Sequence, residues 1–346
     1  MRKLILACAL AAAPFLHSAP VQVKVVIVTM FEAGDDTGDR PGELQLWVER
    51  EHLTRKWDFP EGDRALRSNE DGSVLAVVTG VGTTRAATTI TALGLDPRFD
   101  FSKAYWLVAG IAGVDPHDGS IGSTYWAEWV VDGDLGHEID AREIPKDWPT
   151  GYLPLRKMTP YEQPVSIPDS MFFHLDPALV TWAYETTKDI KLEDTSGMKA
   201  HRDLYVGYPN ALKPPSVGRG DHLSSSTFWH GALLNKWAND WVSYFTGGKG
   251  NYVTTAMEDS ATLYALSRLG LAGRVDPKRA LVLRSASNFD MQWPGATAIE
   301  SLSGEKLGPG YSAYIPSIEN LHRVGSRVLH ALLDGWDQYA ETPPGR

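Results

Sequence analysis

The chain has 346 residues, 43% of them hydrophobic and 22% charged, with 33 Lys and Arg against 43 Asp and Glu for a formal charge of −10. That length and composition supply a sizeable core. The acidic balance excludes a protein built around nucleic-acid phosphates, which demand a basic face.

The first residues, MRKLILACALAAAPFLHSAPVQ, place two cations before an apolar run from Leu4 to Leu16 and a small-residue exit at Ser18-Ala19. This is the pattern of a secretory signal peptide, so residues 1–19 are expected to be cleaved and residues 20–346 to form the mature domain, exported to the periplasm or beyond. Removing Arg2 and Lys3 with that segment takes the formal charge to −12. Cys8 is the one cysteine, too near the start for the usual apolar segment before a lipidated cysteine. The mature domain therefore has no thiol or disulfide and must rest on packing. No other apolar run approaches the ~20 residues that span a bilayer.

Residues 21–30, VQVKVVIVTM, are β-branched and nearly continuous in apolar character, as in a central strand covered on both faces. A turn-rich segment follows, then a short helix over 43–53. The spacing predicts strands over 73–79, 103–112 and 123–131, with a helix over 83–93 opening from Gly80-Val81-Gly82. Residues 145–215 break this rhythm with prolines and aromatics and read as an insertion carrying one helix, 177–188. The rhythm returns with a strand over 252–257, a helix over 258–269 and a strand over 279–285. A last helix, 317–336, presents Ile318, Leu321, Val324, Val328 and Leu332 on one face. Repeated strand, Gly turn and helix units predict a single α/β domain, a central mixed sheet flanked by helices, with ligands at the carboxyl ends of strands.

Several segments at those ends carry polar groups. In Thr79-Gly-Val-Gly-Thr-Thr-Arg85, free N–H groups at a helix start favour an anion, for which Gly82, Thr83 and Arg85 are candidates; tight packing with an outward Arg85 is the plainer reading. Gly110, Ala112 and Gly113 end a strand with small residues that would admit a flat ligand or merely pack a turn. Gly220-Asp221-His222 precedes Phe228 and Trp229, which sets polar groups beside aromatic faces. In VTTAMEDSATLYAL, residues 253–266, Glu258 and Asp259 stand at a strand-to-helix junction where acids are expected as helix caps. Arg284 at the end of a predicted strand, and Asn288 and Asp290 just past it, are explained by an ion pair or turn as well as by a ligand. The sequence has no zinc-helix spacing, no Walker loop and no nucleophile elbow, so no metal is assigned and a serine hydrolase is disfavoured.

Taken in order, 79–93, 108–123, 220–231, 255–266 and 283–290 resemble the nucleoside phosphorylase and nucleosidase superfamily, and more closely the purine nucleoside permeases. The resemblance implies that Met257 packs beneath a ribose and Glu258 accepts hydrogen bonds from its hydroxyls. It implies Gly110, Ala112, Gly113, Asp221, Phe228 and Arg284 around the substrate. Many relatives carry an Asp at the position of Asn288 to protonate or bond the departing purine. Here Asn288 as a donor is preferred, with Asp290 as its substitute. The nucleophile stays open between phosphate at Gly82, Thr83 and Arg85 and water activated by Glu32. The expected activity is cleavage of the N-glycosidic bond of purine nucleosides for uptake and salvage, without a cofactor other than inorganic phosphate as co-substrate; a non-catalytic nucleoside-binding component of transport is the alternative. The resemblance also implies a homo-oligomer.

Overall fold

The β-branched run expected as a central strand forms one, Val25–Thr29, buried at every residue, as a strand covered on both faces must be. It lies between Val74–Val78 and Tyr105–Val114, parallel to both. The computed structural model describes residues 19–165, 171–307 and 313–346. The expected signal segment lies almost wholly outside them. In the described residues one large mixed sheet runs Phe172–His174, Trp129–Asp132, Asp221–Ser224, Tyr252–Ala256, Tyr105–Val114, Val25–Thr29, Val74–Val78, Leu66–Ser68 and Arg55–Trp57. Helices cover it, as the sequence predicts.

The sheet divides at Tyr105–Val114, and this division positions the site. Ala280–Phe289 pairs with that strand in parallel along its length, while Tyr252–Ala256 pairs antiparallel only at its end, through Thr255↔Gly113 and Thr254↔Val114. Gly113 thus has neighbours on two diverging strands. A Cβ there would meet Thr255 Cγ2 at 3.2 Å and Asn288 Nδ2 at 3.4 Å. The register also shifts between Ala286 and Asn288. A bulge of this kind re-aims side chains that would otherwise alternate between faces, and Ser287 and Asn288 both face the same cavity.

Helix Thr83–Leu95 packs on helix Asp259–Leu271, where Gly94 makes room for Leu269. Helix Tyr314–Asp334 covers the long strands, with Ile318, Leu321, Val324, Val328 and Leu332 all buried. Several boundaries differ from expectation. The expected 123–131 strand is two, Thr124–Ala127 and Trp129–Asp132. The last strand extends to Phe289, so Asn288 lies within it. The Pro-rich insertion holds the expected helix, Pro177–Thr187, started by Asp176, whose carboxylate accepts the N–H groups of Ala178 and Leu179. It also holds a second helix, Ser196–Arg202. Helix Ala232–Thr246 was not predicted, although Trp237, Ala238, Trp241, Val242 and Phe245 are spaced for one buried face.

Candidate active site

At the carboxyl ends of the dividing strands lies a cavity of about 330 Å³, within the size range of small-molecule sites. Met257, Glu258, Arg284, Asn288, Asp290, Ala112, Gly113 and Phe228 line it together, as do Glu43, Met30, Trp229 and Tyr314.

Glu258 closes the strand Tyr252–Ala256 and stands just before the helix Asp259–Leu271. Its Oε1 accepts the Gly82 N–H at 3.0 Å and its Oε2 the Met257 N–H at 3.2 Å. Gly82, at φ +97°, begins the helix Thr83–Leu95. The helix-start donor expected to hold an anion is therefore given to this carboxylate. Burial raises the pKa of Glu258, with Arg284 opposing.

Asp259 differs from its expected role as a cap. Its side chain is fully buried and grips Arg284, with Oδ1 accepting Nε at 3.0 Å and Oδ2 accepting Nη2 at 2.5 Å. Burial alone would raise the Asp259 pKa, but the charges of Arg284 and His222 outweigh it and hold the group below the usual carboxylate range. His222 Nε2 lies 3.0 Å from Asp259 Oδ2, off the axis of a straight hydrogen bond, while its Nδ1 meets Thr254 Oγ1 at 2.9 Å. Arg284 Nη1 donates to the Ile111 carbonyl at 3.0 Å, and Nη2 stands 3.5 Å from Glu258 Oε2.

Glu43 is the functional candidate that sequence reasoning missed. It precedes the helix Gln45–Arg50 and is 2% exposed. Its oxygens accept the N–H groups of Met30 and Ile111, each at 2.7 Å. Burial pushes its pKa up to about 8, the Arg284 charge works against this, and Glu258 adds to it. Gly110 does not line the cavity but permits this arrangement. A Cβ on it would collide with Arg284 Nη1 and come within 2.7 Å of Glu43 Oε1 and 2.9 Å of Met30 Sδ.

At another part of the lining, Asp290 is buried. Tyr252 Oη donates to it at 2.5 Å and Asn235 Nδ2 at 3.1 and 3.2 Å. Burial drives its pKa well above the carboxylate range, the nearby Asp115 adds to this, and the two donors only partly offset it. Asn288 accepts from Ser287 Oγ at 2.9 Å and donates to the Phe289 carbonyl at 3.0 Å, which leaves one amide hydrogen uncommitted.

Besides Gly82 and Gly110, four expected residues sit elsewhere. Glu32 accepts the N–H groups of Gly42, Leu44 and Gln45, so its carboxylate caps the short helix and does not line the cavity. Asp221 accepts the N–H groups of Glu128, Trp129 and Asn251 in a separate small pocket. Thr83 N–H donates to Ser226 Oγ at 3.0 Å. Arg85 is exposed, with Nη1 3.7 Å from Asp63 Oδ2. Among the described residues no helix is long and apolar enough to cross a membrane.

The fold matches solved structures of the nucleosidase type. A 5′-methylthioadenosine/S-adenosylhomocysteine nucleosidase from Helicobacter pylori aligns with a TM-score of 0.52 over 89% of this chain and 99% of its own, at 15% identity. The corresponding nucleosidase from Neisseria meningitidis aligns at 0.51 over 90% and 100%, with 14% identity. At such identities the likeness is one of fold. In sequence, a probable purine nucleoside permease of Schizosaccharomyces pombe is 31% identical over 283 residues, 79% of this chain and 80% of its own. A purine nucleoside permease of Candida albicans is 32% identical over 274 residues, 78% and 66% of the two chains. Residues 22–344 match the family model described as purine nucleoside permease. The chain belongs to the purine nucleoside permease family.

Proposed function

We propose that the cavity binds a purine nucleoside and hydrolyses its N-glycosidic bond, releasing the free base. The observation that carries this reading is that two separately supported acidic groups, the Glu43–Glu258 pair and Asp290, line one cavity with aromatic and thioether side chains. Glu258 presents a fixed carboxylate to vicinal hydroxyls, with Met257 as the apolar floor and Phe228 and Trp229 as faces for a purine. Water oxygen bonds to the anomeric carbon as the bond from that carbon to the base nitrogen breaks. Ionised Glu43 takes a water proton, and protonated Asp290 gives one to the leaving base, assisted by the free amide hydrogen of Asn288. The sugar passes through an oxocarbenium-like state that the Glu258 charge favours. Burial raises the pKa of both groups, Glu43 to about 8 and Asp290 well above the carboxylate range, so the ionised Glu43 that takes the proton becomes more abundant as pH rises toward 8 while Asp290 keeps its own proton.

Phosphorolysis is less well supported. Gly82 and Thr83 direct their N–H groups to Glu258 and Ser226, Arg85 stands by Asp63, and Arg284 is occupied by Asp259. A phosphate entering the cavity would face Glu43 and Glu258. The names of the relatives favour a second reading, a nucleoside-binding component of transport. Joined to the proposal that residues 1–19 are an export signal, the hydrolytic reading has base release occur outside the inner membrane and feed free bases to uptake. Incubating purified protein with inosine, guanosine and adenosine and following free base by chromatography separates the two. Base release supports the enzyme, whereas tight binding without release supports the binding component.

A further inference from the structure

Three carboxylates, Glu43, Glu258 and Asp259, converge on the single guanidinium of Arg284, and they are not served equally. Asp259 takes Nε and Nη2 in a bidentate pair at 3.0 and 2.5 Å. Glu258 is left at 3.5 Å, and Glu43 takes its hydrogen bonds from backbone N–H groups. We infer that Asp259, backed by His222, is a positioning residue that occupies Arg284 and so keeps the Glu258 and Glu43 carboxylates open to sugar and water. The inference rests on the hydrolytic reading for its catalytic part, but its binding part stands without it.

The geometry gives the reason. A planar guanidinium prefers a carboxylate it can meet with two parallel N–H groups. Asp259, in the first turn of its helix, presents that carboxylate edge-on, and His222 from the strand Asp221–Ser224 stands against its outer oxygen while anchored to Thr254. Arg284 itself is fixed by the strand Ala280–Phe289 and by the Ile111 carbonyl. Without the Asp259 charge, the nearest anionic partner is Glu258 Oε2, with Glu43 beyond it. An Arg closing on Glu258 would consume the lone pairs that ribose hydroxyls need. It would also favour the charged forms of both glutamates, because an opposite charge within a few ångströms lowers a carboxylate pKa by about 1–3 units.

The test uses full-length mature protein with Asp259→Asn and His222→Gln, each checked for folding by thermal melting. Affinities for a purine nucleoside and for the free purine base are measured beside the pH profile of kcat/KM. Asp259→Asn is expected to weaken nucleoside binding about tenfold or more while leaving free-base binding within about twofold, and to move the acid limb of the profile about one pH unit or more downward. His222→Gln is expected to shift both in the same direction by less, and it carries the test where Asp259→Asn does not fold. Equal weakening of nucleoside and base, or affinities and an acid limb unchanged from the parent, overturns the inference. A parent protein that binds nucleoside without releasing base overturns the hydrolytic reading alone, and the two affinities still decide the role of Asp259.

Discussion

Glu43 offers the sharpest quantitative consequence of the site. Its pKa is pushed from 4.5 to about 8 by burial. Below the unfolded value the group is protonated in both states and contributes no pH dependence. As pH rises above that value, the unfolded chain ionises while the folded chain keeps its proton, so stability falls by about 1.36 kcal/mol per unit. The loss levels off above the folded pKa at about 5 kcal/mol. Glu43→Gln removes this titration. The new amide must turn an N–H toward the Met30 or Ile111 N–H, at a cost that does not vary with pH. The gap between parent and variant is therefore the diagnostic quantity. From about pH 5.5 to about pH 7.5 the parent should lose about 2.5 kcal/mol relative to Glu43→Gln. Urea unfolding followed by tryptophan fluorescence at several pH values measures it. Other buried acids such as Asp290 affect both proteins alike and cancel. Parallel stability curves would refute the claim that burial keeps Glu43 protonated.

Three further outcomes follow from the same geometry. Glu258→Ala should lower kcat/KM for nucleoside by about 100-fold or more, since it removes a charged group aligned on the sugar; near-parental kinetics would show that ribose is held elsewhere. Gly110→Ala, which forces a methyl group against Arg284, Glu43 and Met30, should cost about 1–3 kcal/mol in thermal or urea unfolding and depress activity with it. Arg85→Ala should leave base release within about twofold, as for an exposed residue; a large, phosphate-dependent loss would restore the anion site to the Gly82–Arg85 turn.

The fold was largely legible because its signals are local. The Val25–Thr29 run, the Thr83 helix start and the Ile318-to-Leu332 stripe each carry the period of the element they form. The site was legible in part. Glu258, Asn288 and Asp290 stand at or just past strand ends and Arg284 within the strand Ala280–Phe289, and their motifs mark them. Glu43 escaped because it lies in a turn-rich stretch beside Glu32, and nothing local reveals which of two acids turns toward the core and which caps the helix. Asp259 was misjudged for a similar reason. Its cap-like place in the sequence is real, but the bidentate partner, Arg284, is 25 residues away on another strand. The bulge that turns both Ser287 and Asn288 to the cavity depends on register with Tyr105–Val114, which no single segment encodes.

The central claim is that carboxylates of this chain activate water against a nucleoside. It is tested most directly by following free base from inosine with purified mature protein in phosphate-free buffer, beside the same reaction in saturating phosphate. The account predicts release at equal rates in both, with free ribose as the other product and loss of activity in Glu43→Gln. Release only with phosphate, yielding ribose 1-phosphate, would contradict it.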